Sequence, residues 1–384
     1  MQMQFQLKNQ TTNLIPTSQL NSIMIDHLFI EEEKNKDSVE ALKEAQKIAF
    51  GPVVFQTVMT LRNLGALEYI KAKKSKGATS KELAEHCKVS VYGIKTLLEM
   101  AASAGVVTFK DDVDTYVITR VGVFLNKDLM TTANLDFIQD ICYEGLFNLE
   151  EAIKEEKPAG LRKLGNWSTV YEGLSQLNQQ QQNSWFSFDH YYSDGAFPYA
   201  LPIVFKNKPK TLFDVGGNTG KWAGQCYKFD PDVQVTILDL PGQLNKAKAN
   251  LEAKGFTDRI NFHEIDLLSD NPVFPHEADA IWMSQFLDCF SQEQIIKILR
   301  TASKAMNENS AVFIMETYWD NQRYEAATYS LHATSLYFTA IANGNSKMYH
   351  SDEMRKMVQA AGLKVVEEHA PVGEYHTIFK CMLA

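Results

Sequence analysis

Apolar and polar positions along this chain follow two different periods. From Ser38 to Ile70 the apolar residues recur at helical spacing, first in EALKEAQKIAF and then in GPVVFQTVMTLRNLGALEYI. Gly51-Pro52 marks a kink between the two stretches. Thr79 or Ser80 can cap a short helix, SKELAEHC, with Glu82 on its first turn. Ser90 caps a second, VYGIKTLLEMAASAG, which Gly105 ends. Two β-like runs follow, VVTFK and TYVIT, with DDVD at the turn between them.

Helix, turn, helix and hairpin together predict a winged-helix arrangement. A DNA-reading version needs basic and amide side chains on the exposed face of its second helix. Between Ser90 and Ala104 only Lys95 is basic, and Glu99 opposes it. A packing or dimerisation module is the better reading. Residues 131–200 read as helical and carry an aromatic stretch, SWFSFDHYYSDGAFPY. The Gln run at 179–182 is short and reads as a solvated helix face.

From Thr211 the pattern changes again. TLFDV, QVTILDL, INFHEI, ADAIWMSQ and SAVFIMET read as strands, separated by the helices GKWAGQCYKF, PGQLNKAKANLEAKG and SQEQIIKILRTASKAM. Strands alternating with helices imply a parallel sheet with crossover connections. The end, LKVVEEHAPVGEYHTIFKCML, reads as two strands around Pro371 and Gly373, a hairpin closing one side of that sheet.

Composition narrows the classes. With 384 residues, 45% hydrophobic and 22% charged, the chain is globular and long enough for two or three modules. Its formal net charge of −9 disfavours non-specific attraction to nucleic acid or an anionic membrane. The N-terminus is rich in Gln, Asn and Thr, without a secretory pattern, and is expected to form a loose arm. No apolar run approaches the ~20 residues that span a bilayer. The five cysteines are scattered and no pair has metal-ligand spacing, so reduced thiols, a cytoplasmic location and no metal are expected.

The strongest chemical signal is Phe213-Asp214-Val215-Gly216-Gly217-Asn218-Thr219-Gly220, a buried strand entering a Gly-rich turn and then a helix. Such a turn brings backbone close to a ligand at the carboxyl edge of a sheet. A dinucleotide site wants Gly at the first, third and sixth positions of the turn; these hold Gly216, Asn218 and Lys221. A P-loop wants Gly-Lys followed by Ser or Thr, and Trp222 follows here. S-adenosylmethionine (SAM) has no phosphate, and needs close backbone plus carboxylates for its amine and ribose hydroxyls. Asp214 lies in the motif, Asp239 closes the second strand, and Asp266 follows the third, where it can meet an adenine amino group. Each alone is an ordinary cap or loop residue. Three at successive strand ends favour SAM.

Residues from about 45 to 384 resemble the small-molecule O-methyltransferases of plants and bacteria, whose DVGGGxG motif is similar to DVGGNTG here. The resemblance implies an N-terminal winged-helix dimerisation domain and a Rossmann-like class I SAM methyltransferase domain. That α/β domain would hold a mostly parallel seven-stranded sheet with a terminal antiparallel hairpin. The expected division is an arm over 1–28, the winged-helix domain over 29–130, linking helices that wall a substrate pocket over 131–205, and the SAM-binding domain over 206–384. SAM contacts are implied at Asp214, Gly216, Asp239, Leu240, Asp266 and Leu267, with Gly217 and Gly220 in the same turn and Ser284 at the end of the fourth strand. A homodimer and a small aromatic substrate are implied, without nucleic acid or membrane.

The catalytic segment departs from the family's Lys-x-x-x-His-Asp-Trp, whose His is the general base. It reads Met283-Ser284-Gln285-Phe286-Leu287-Asp288-Cys289-Phe290, with Ser284 at the Lys position and Asp288 at the His position. A family glutamate matches Glu316, and a second is replaced near Lys347-Met348-Tyr349-His350. Three mechanisms stay open: Asp288 as base, alone or with Glu316; a different base, His190 or His350; or attack by a ring carbon ortho to a phenol. Asp288 as a cap on the helix beginning near Ser291, and His190 as a structural histidine, are the plain alternatives. Phe188, Tyr192, Phe286 and His350 are the expected acceptor-pocket residues, aromatic walls suiting a flat acceptor. O-methylation of a phenol is the expectation, ring C-methylation its rival, and a non-catalytic SAM binder or winged-helix regulator the reading from another class.

Overall fold

The computed structural model describes residues 37–256 and 258–384, apart from the side chains of Tyr192, Ser193 and Asp194. The arm expected over 1–28 lies outside the described residues.

The chain opens with helices α1 (Ser38–Ala49), α2 (Gly51–Asn63) and α3 (Ala66–Ala72). The Gly51-Pro52 break separates α1 from α2, and Gly65, at φ +72, starts α3. Next come β1 (Ala78–Thr79), α4 (Ser80–Cys87), α5 (Val91–Ser103), β2 (Val107–Phe109) and β3 (Thr115–Ile118). Thr79 and Glu82 close a reciprocal capping box on α4, and the Ser90 side chain caps α5. The strands pair in the order β1-β3-β2, and α4 and α5 pack Leu83, Ile94 and Leu98 into a core with Leu67, Ile70 and Tyr116.

Linking helices follow: α6 (Arg120–Lys127), α7 (Leu129–Phe137), α8 (Leu149–Glu155), α9 (Val170–Gly173), α10 (Gln179–Ser193) and α11 (Phe197–Val204). The catalytic half holds β4 (Thr211–Val215), α12 (Lys221–Phe229), β5 (Gln234–Asp239), α13 (Pro241–Glu252), β6 (Ile260–Glu264), β7 (Ala280–Ser284), α14 (Gln292–Ser303) and β8 (Ala311–Glu316). It ends with α15 (Glu325–Tyr337), α16 (Ser351–Ala360), β9 (Leu363–Val372) and β10 (His376–Leu383).

These seven strands form one sheet in the order β6-β5-β4-β7-β8-β10-β9. The first five run parallel, and β10 pairs antiparallel with both β8 and β9. Both faces are covered, which explains the unbroken apolar runs. Phe213, Val215, Ile281, Met283 and Ile314 face one core, while Leu212, Trp282, Phe313 and Met315 face the other. A further core joins the linking helices to the segment after β8, through Phe137, Leu174, Trp185, Leu331, Tyr337 and Phe338. That core places an aromatic roof above one edge of the sheet.

Among the described residues no helix is long and apolar enough to cross a membrane. Residues 325–342 carry no element expected from the sequence, yet α15 and a widened π-type turn at 338–342 fill the segment. Its signal is the helical spacing of Ala327, Leu331, Thr334 and Phe338, all buried.

Candidate functional site

Strand order reverses at β4, with β5 on one side and β7 on the other. A crevice opens at such a switch point, outside the carboxyl ends of the strands. The Gly-rich turn leaves β4 there, with Asp239 ending β5 and Ser284-Gln285 ending β7.

The turn is tightly built. Gly216 has φ +69, and a Cβ on it would lie 2.2 Å from the Phe286 ring. A side chain is therefore excluded by Phe286 as well as by any ligand. A Cβ on Gly217 would sit 2.8 Å from Asp214 Oδ2. Gly220, at φ +76, starts α12 and packs against Leu251 of α13. It touches neither cavity described below and acts through helix packing. Asn218 holds φ +49, the left-handed conformation that Asn accepts better than most residues.

Two adjoining spaces meet at this turn. The larger is a cavity of about 520 Å³. One end runs along Asp239, Leu240, Gln243, Asp266 and Leu267; the other is walled by Tyr171, Trp185, Phe188, Phe286, Tyr337 and Phe338. Asp288 and Cys289 also line it. The smaller space, about 70 Å³, lies beneath the turn and is bordered by Asp214, Gly217, Asn218, Trp222, Ser284 and Gln285. A separate depression of about 500 Å³ beside Lys297 and Arg300 shares no residue with either and carries none of these groups.

Polar atoms around the smaller space are left over after the protein's own bonding. Asp214 Oδ2, Ser284 Oγ, Gln285 Oε1 and Trp222 Nε1 are buried without a hydrogen-bond partner. Buried polar groups are ordinarily paired, so such a cluster calls for a ligand or water. Burial, with the Asp239 charge adding to it, lifts the Asp214 carboxyl to about 7. Asp239 accepts from Asn218 N at 2.9 Å and Leu240 N at 2.7 Å, which fixes its carboxylate at the strand end. Exposed Asp266 accepts from Leu268 N at 2.9 Å. A cationic amino-acid tail fits the unpartnered carboxylate, ribose hydroxyls fit Asp239, and a flat base fits the cavity end lined by Leu240 and Leu267. These residues suit SAM.

At the aromatic end, Asp288 sits in a short turn after β7 and is only 5% exposed. It does not cap the next helix; the Ser291 side chain does, in a capping box with Gln294. Cys289 Sγ donates to Asp288 Oδ1 at 3.4 Å. Glu316 ends β8 behind it, with Oε1 accepting from Phe286 N and Leu287 N at 3.1 and 2.9 Å. Glu316 Oε2 is buried without a partner. Burial lifts both carboxyls: Asp288 to about 6, and Glu316 further because the Asp288 charge adds to its burial. Like charges so placed cannot both ionise easily, so Glu316 keeps a proton while Asp288 is the one to lose it near neutral pH.

The histidines are placed elsewhere. On α10, Trp185, Phe188 and Asp189 face the large cavity at helical spacing, and His190 turns away from it. His190 borders the smaller space, 3.7 Å from Asp189 Oδ2, and stacks on Phe186. It is not brought to Asp288. His350 is the N-cap of α16, its Nδ1 accepting from Asp352 N at 3.0 Å, with Asp320 3.6 Å from its Nε2. It lies outside the cavity lining; Asn343, Asn345 and Met348 from that connection face the cavity instead. Phe188 and Phe286 line the cavity, whereas the Tyr192 side chain lies outside the described residues. Tyr171, Trp185, Asp189, Gln285 and Cys289 join the lining although sequence reasoning does not single them out. For Gln285 the only signal is its place after a strand, where it takes φ +44, a strained conformation common at functional sites.

Comparison with known proteins decides the family. Residues 204–364 match the O-methyltransferase domain, and residues 42–116 match a Dimerisation2-like domain. The C-terminal half carries the domain of the SAM-dependent O-methyltransferases. It is 22% identical to L-tyrosine C(3)-methyltransferase of Streptomyces lavendulae over 82% of this chain and 85% of that one. It is 25% identical to acetylserotonin O-methyltransferase 1 of Oryza sativa subsp. japonica, over 73% and 79% of the two chains. Its fold is similar to that of human N-acetylserotonin methyltransferase in complex with SAM, with TM-score 0.64, 16% identity and coverage of 91% and 99%. The protein is accordingly a SAM-dependent methyltransferase.

Proposed function

We propose that this methyltransferase transfers the SAM methyl group to a hydroxyl of a flat aromatic small molecule, with Asp288 receiving the proton. The observation that carries this is a buried carboxylate and an aromatic-walled chamber sharing one cavity with the Gly-rich turn. When bound, SAM supplies a methyl group on a positively charged sulfur, which keeps the C–S electron pair as oxygen bonds to the methyl carbon. Asp214, Asp239 and Asp266 hold the cofactor at the strand ends, while Leu240 and Leu267 flank its base. Phe188, Trp185, Tyr337 and Phe286 orient the ring so that the hydroxyl points along the departing bond; such alignment is the main service a protein gives this reaction. Glu316 stays protonated and keeps Asp288 in place through the backbone it binds. Asp288 ionises near pH 6, higher than an ordinary Asp, and is a correspondingly better base for a phenol.

Labelled SAM offered with a panel of phenols tests the reading. Transfer to at least one phenol, lost when the phenol is capped as an ether, is expected; SAM binding with no transfer across the panel would leave a non-catalytic binder. Product mass spectra separate oxygen from carbon attack. Carbon attack keeps some support because one relative, matched over 82% of this chain, is named an L-tyrosine C(3)-methyltransferase.

The N-terminal half supports a homodimer. Helix α1 buries no residue and exposes Val39, Leu42 and Ile48, with Phe50 and Val53 continuing the apolar strip. An isolated helix of 12 residues is marginal without packing. A second copy would cover the strip, and sedimentation at micromolar protein is expected to show a dimer. Lys95 of α5 pairs with Asp114 at 3.7 Å, which leaves that helix poorly equipped for DNA. Free thiols throughout the described chain fit a reducing, cytoplasmic setting.

A further inference from the structure

The cavity lining has an unusual charge balance. Five carboxylates line it: Glu172, Asp189, Asp239, Asp266 and Asp288. Among the described residues that line it there is no Lys, Arg or His. The basic residues His190 and Lys221 border only the smaller space beneath the turn. Asp239 and Asp266 belong to the end assigned to the nucleoside. Asp189 faces the cavity from α10 beside the Gly-rich turn, where it accepts from Asn218 Nδ2 at 3.3 Å. The aromatic end keeps Asp288, buried, and Glu172, exposed at the rim next to Tyr171. Behind Asp288 lies Glu316, 2% exposed, with an oxygen that no protein donor reaches.

An acceptor carrying a carboxylate would bring its charge into this field with no cationic side chain in the lining to meet it; the sulfonium of bound SAM faces the hydroxyl end and is common to every acceptor. Two like charges at 5 Å repel by about 3 kcal/mol at an effective dielectric of 20. A protonated amine gains from the same field, and Tyr171, Trp185 and Tyr337 in the lining offer aromatic rings for cation–π attraction.

Resting on the methyltransferase reading above, we propose that the acceptor is a hydroxylated aromatic amine, its ammonium group held at the Glu172 rim while its hydroxyl meets Asp288. The chamber selects against aromatic acids and takes neutral phenols as weaker substrates. Amine and hydroxyl then lie at opposite ends of the acceptor.

The probes are three phenols of one shape: tyramine, 4-ethylphenol and 3-(4-hydroxyphenyl)propanoate, each with SAM and the full-length protein. The kcat/KM for tyramine is expected to exceed that for 4-ethylphenol by roughly tenfold, with the propanoate lowest. Glu172→Gln should draw the tyramine to ethylphenol ratio toward one, and Glu172→Lys should move preference toward the propanoate. Equal turnover of all three, or a wild-type preference for the propanoate, overturns the proposal and leaves the methyltransferase reading standing. Silence on all three, with SAM binding confirmed by calorimetry, overturns both.

Discussion

Asp288→Asn is expected to lower methyl transfer by ~10²–10⁴-fold, the usual contribution of a positioned acid–base group. The change keeps the shape, removes the charge and exchanges one acceptor oxygen for an amide donor at the acceptor end of the cavity, so SAM affinity should stay within a few-fold of wild type. Wild-type rate should climb with pH through about 6 and then level, because only ionised Asp288 accepts the proton. In the Asn variant that rise should disappear. Glu316 will also lose its charged neighbour, the second cause of its raised pKa, and will ionise more easily. It cannot take over as base, since it does not line the cavity and its Oε1 is engaged by Phe286 N and Leu287 N. Asp288→His restores the family's base type, and should raise O-methylation of simple phenols relative to Asn. An Asn variant with nearly full activity would mean that positioning alone drives the reaction.

The fold was legible because its signals are local. Capping residues Thr79, Ser90 and Ser291 stand where helices begin, and apolar runs such as TLFDV and AVFIM mark strands buried on both faces. The cofactor end was legible for a related reason: one motif and two strand-end carboxylates follow from the order of strands. The acceptor end was not. Its walls come from α9, α10, α15 and the 343–348 connection, elements that meet only in the folded chain. Sequence spacing placed His190 two residues after Phe188, but two residues on a helix are about a 200° turn, and that turn carries the imidazole out of the cavity. His350 looked available because nothing in the sequence shows that its ring serves as a helix cap.

Asp214→Asn should weaken SAM binding roughly 10–100-fold, the value of a charge-assisted hydrogen bond to the cofactor's ammonium. It should do so while making the cofactor-free fold more stable at pH 8. Burial raises the Asp214 carboxyl to about 7 from 3.8, so the folded chain holds a proton that the unfolded chain has released. Stability from this group is present in full below about pH 4 and is lost as pH rises through about 7. Above that, a shift of this size corresponds to about 4 kcal/mol, at 1.36 kcal/mol per unit. Asn escapes that cost but brings donors of its own to satisfy, so a smaller net rise in Tm is expected. Affinity has the opposite pH trend. A cationic ligand prefers the carboxylate, so wild-type SAM affinity should rise between pH 5.5 and 7 and then flatten. In the Asn variant this dependence should shrink to whatever Asp239 contributes, since burial raises that group too. Calorimetry across this range, paired with thermal melts of the cofactor-free protein, reads both effects. Unchanged affinity with an unchanged pH profile would remove Asp214 from the cofactor site, and leave its unpartnered Oδ2 to a buried water.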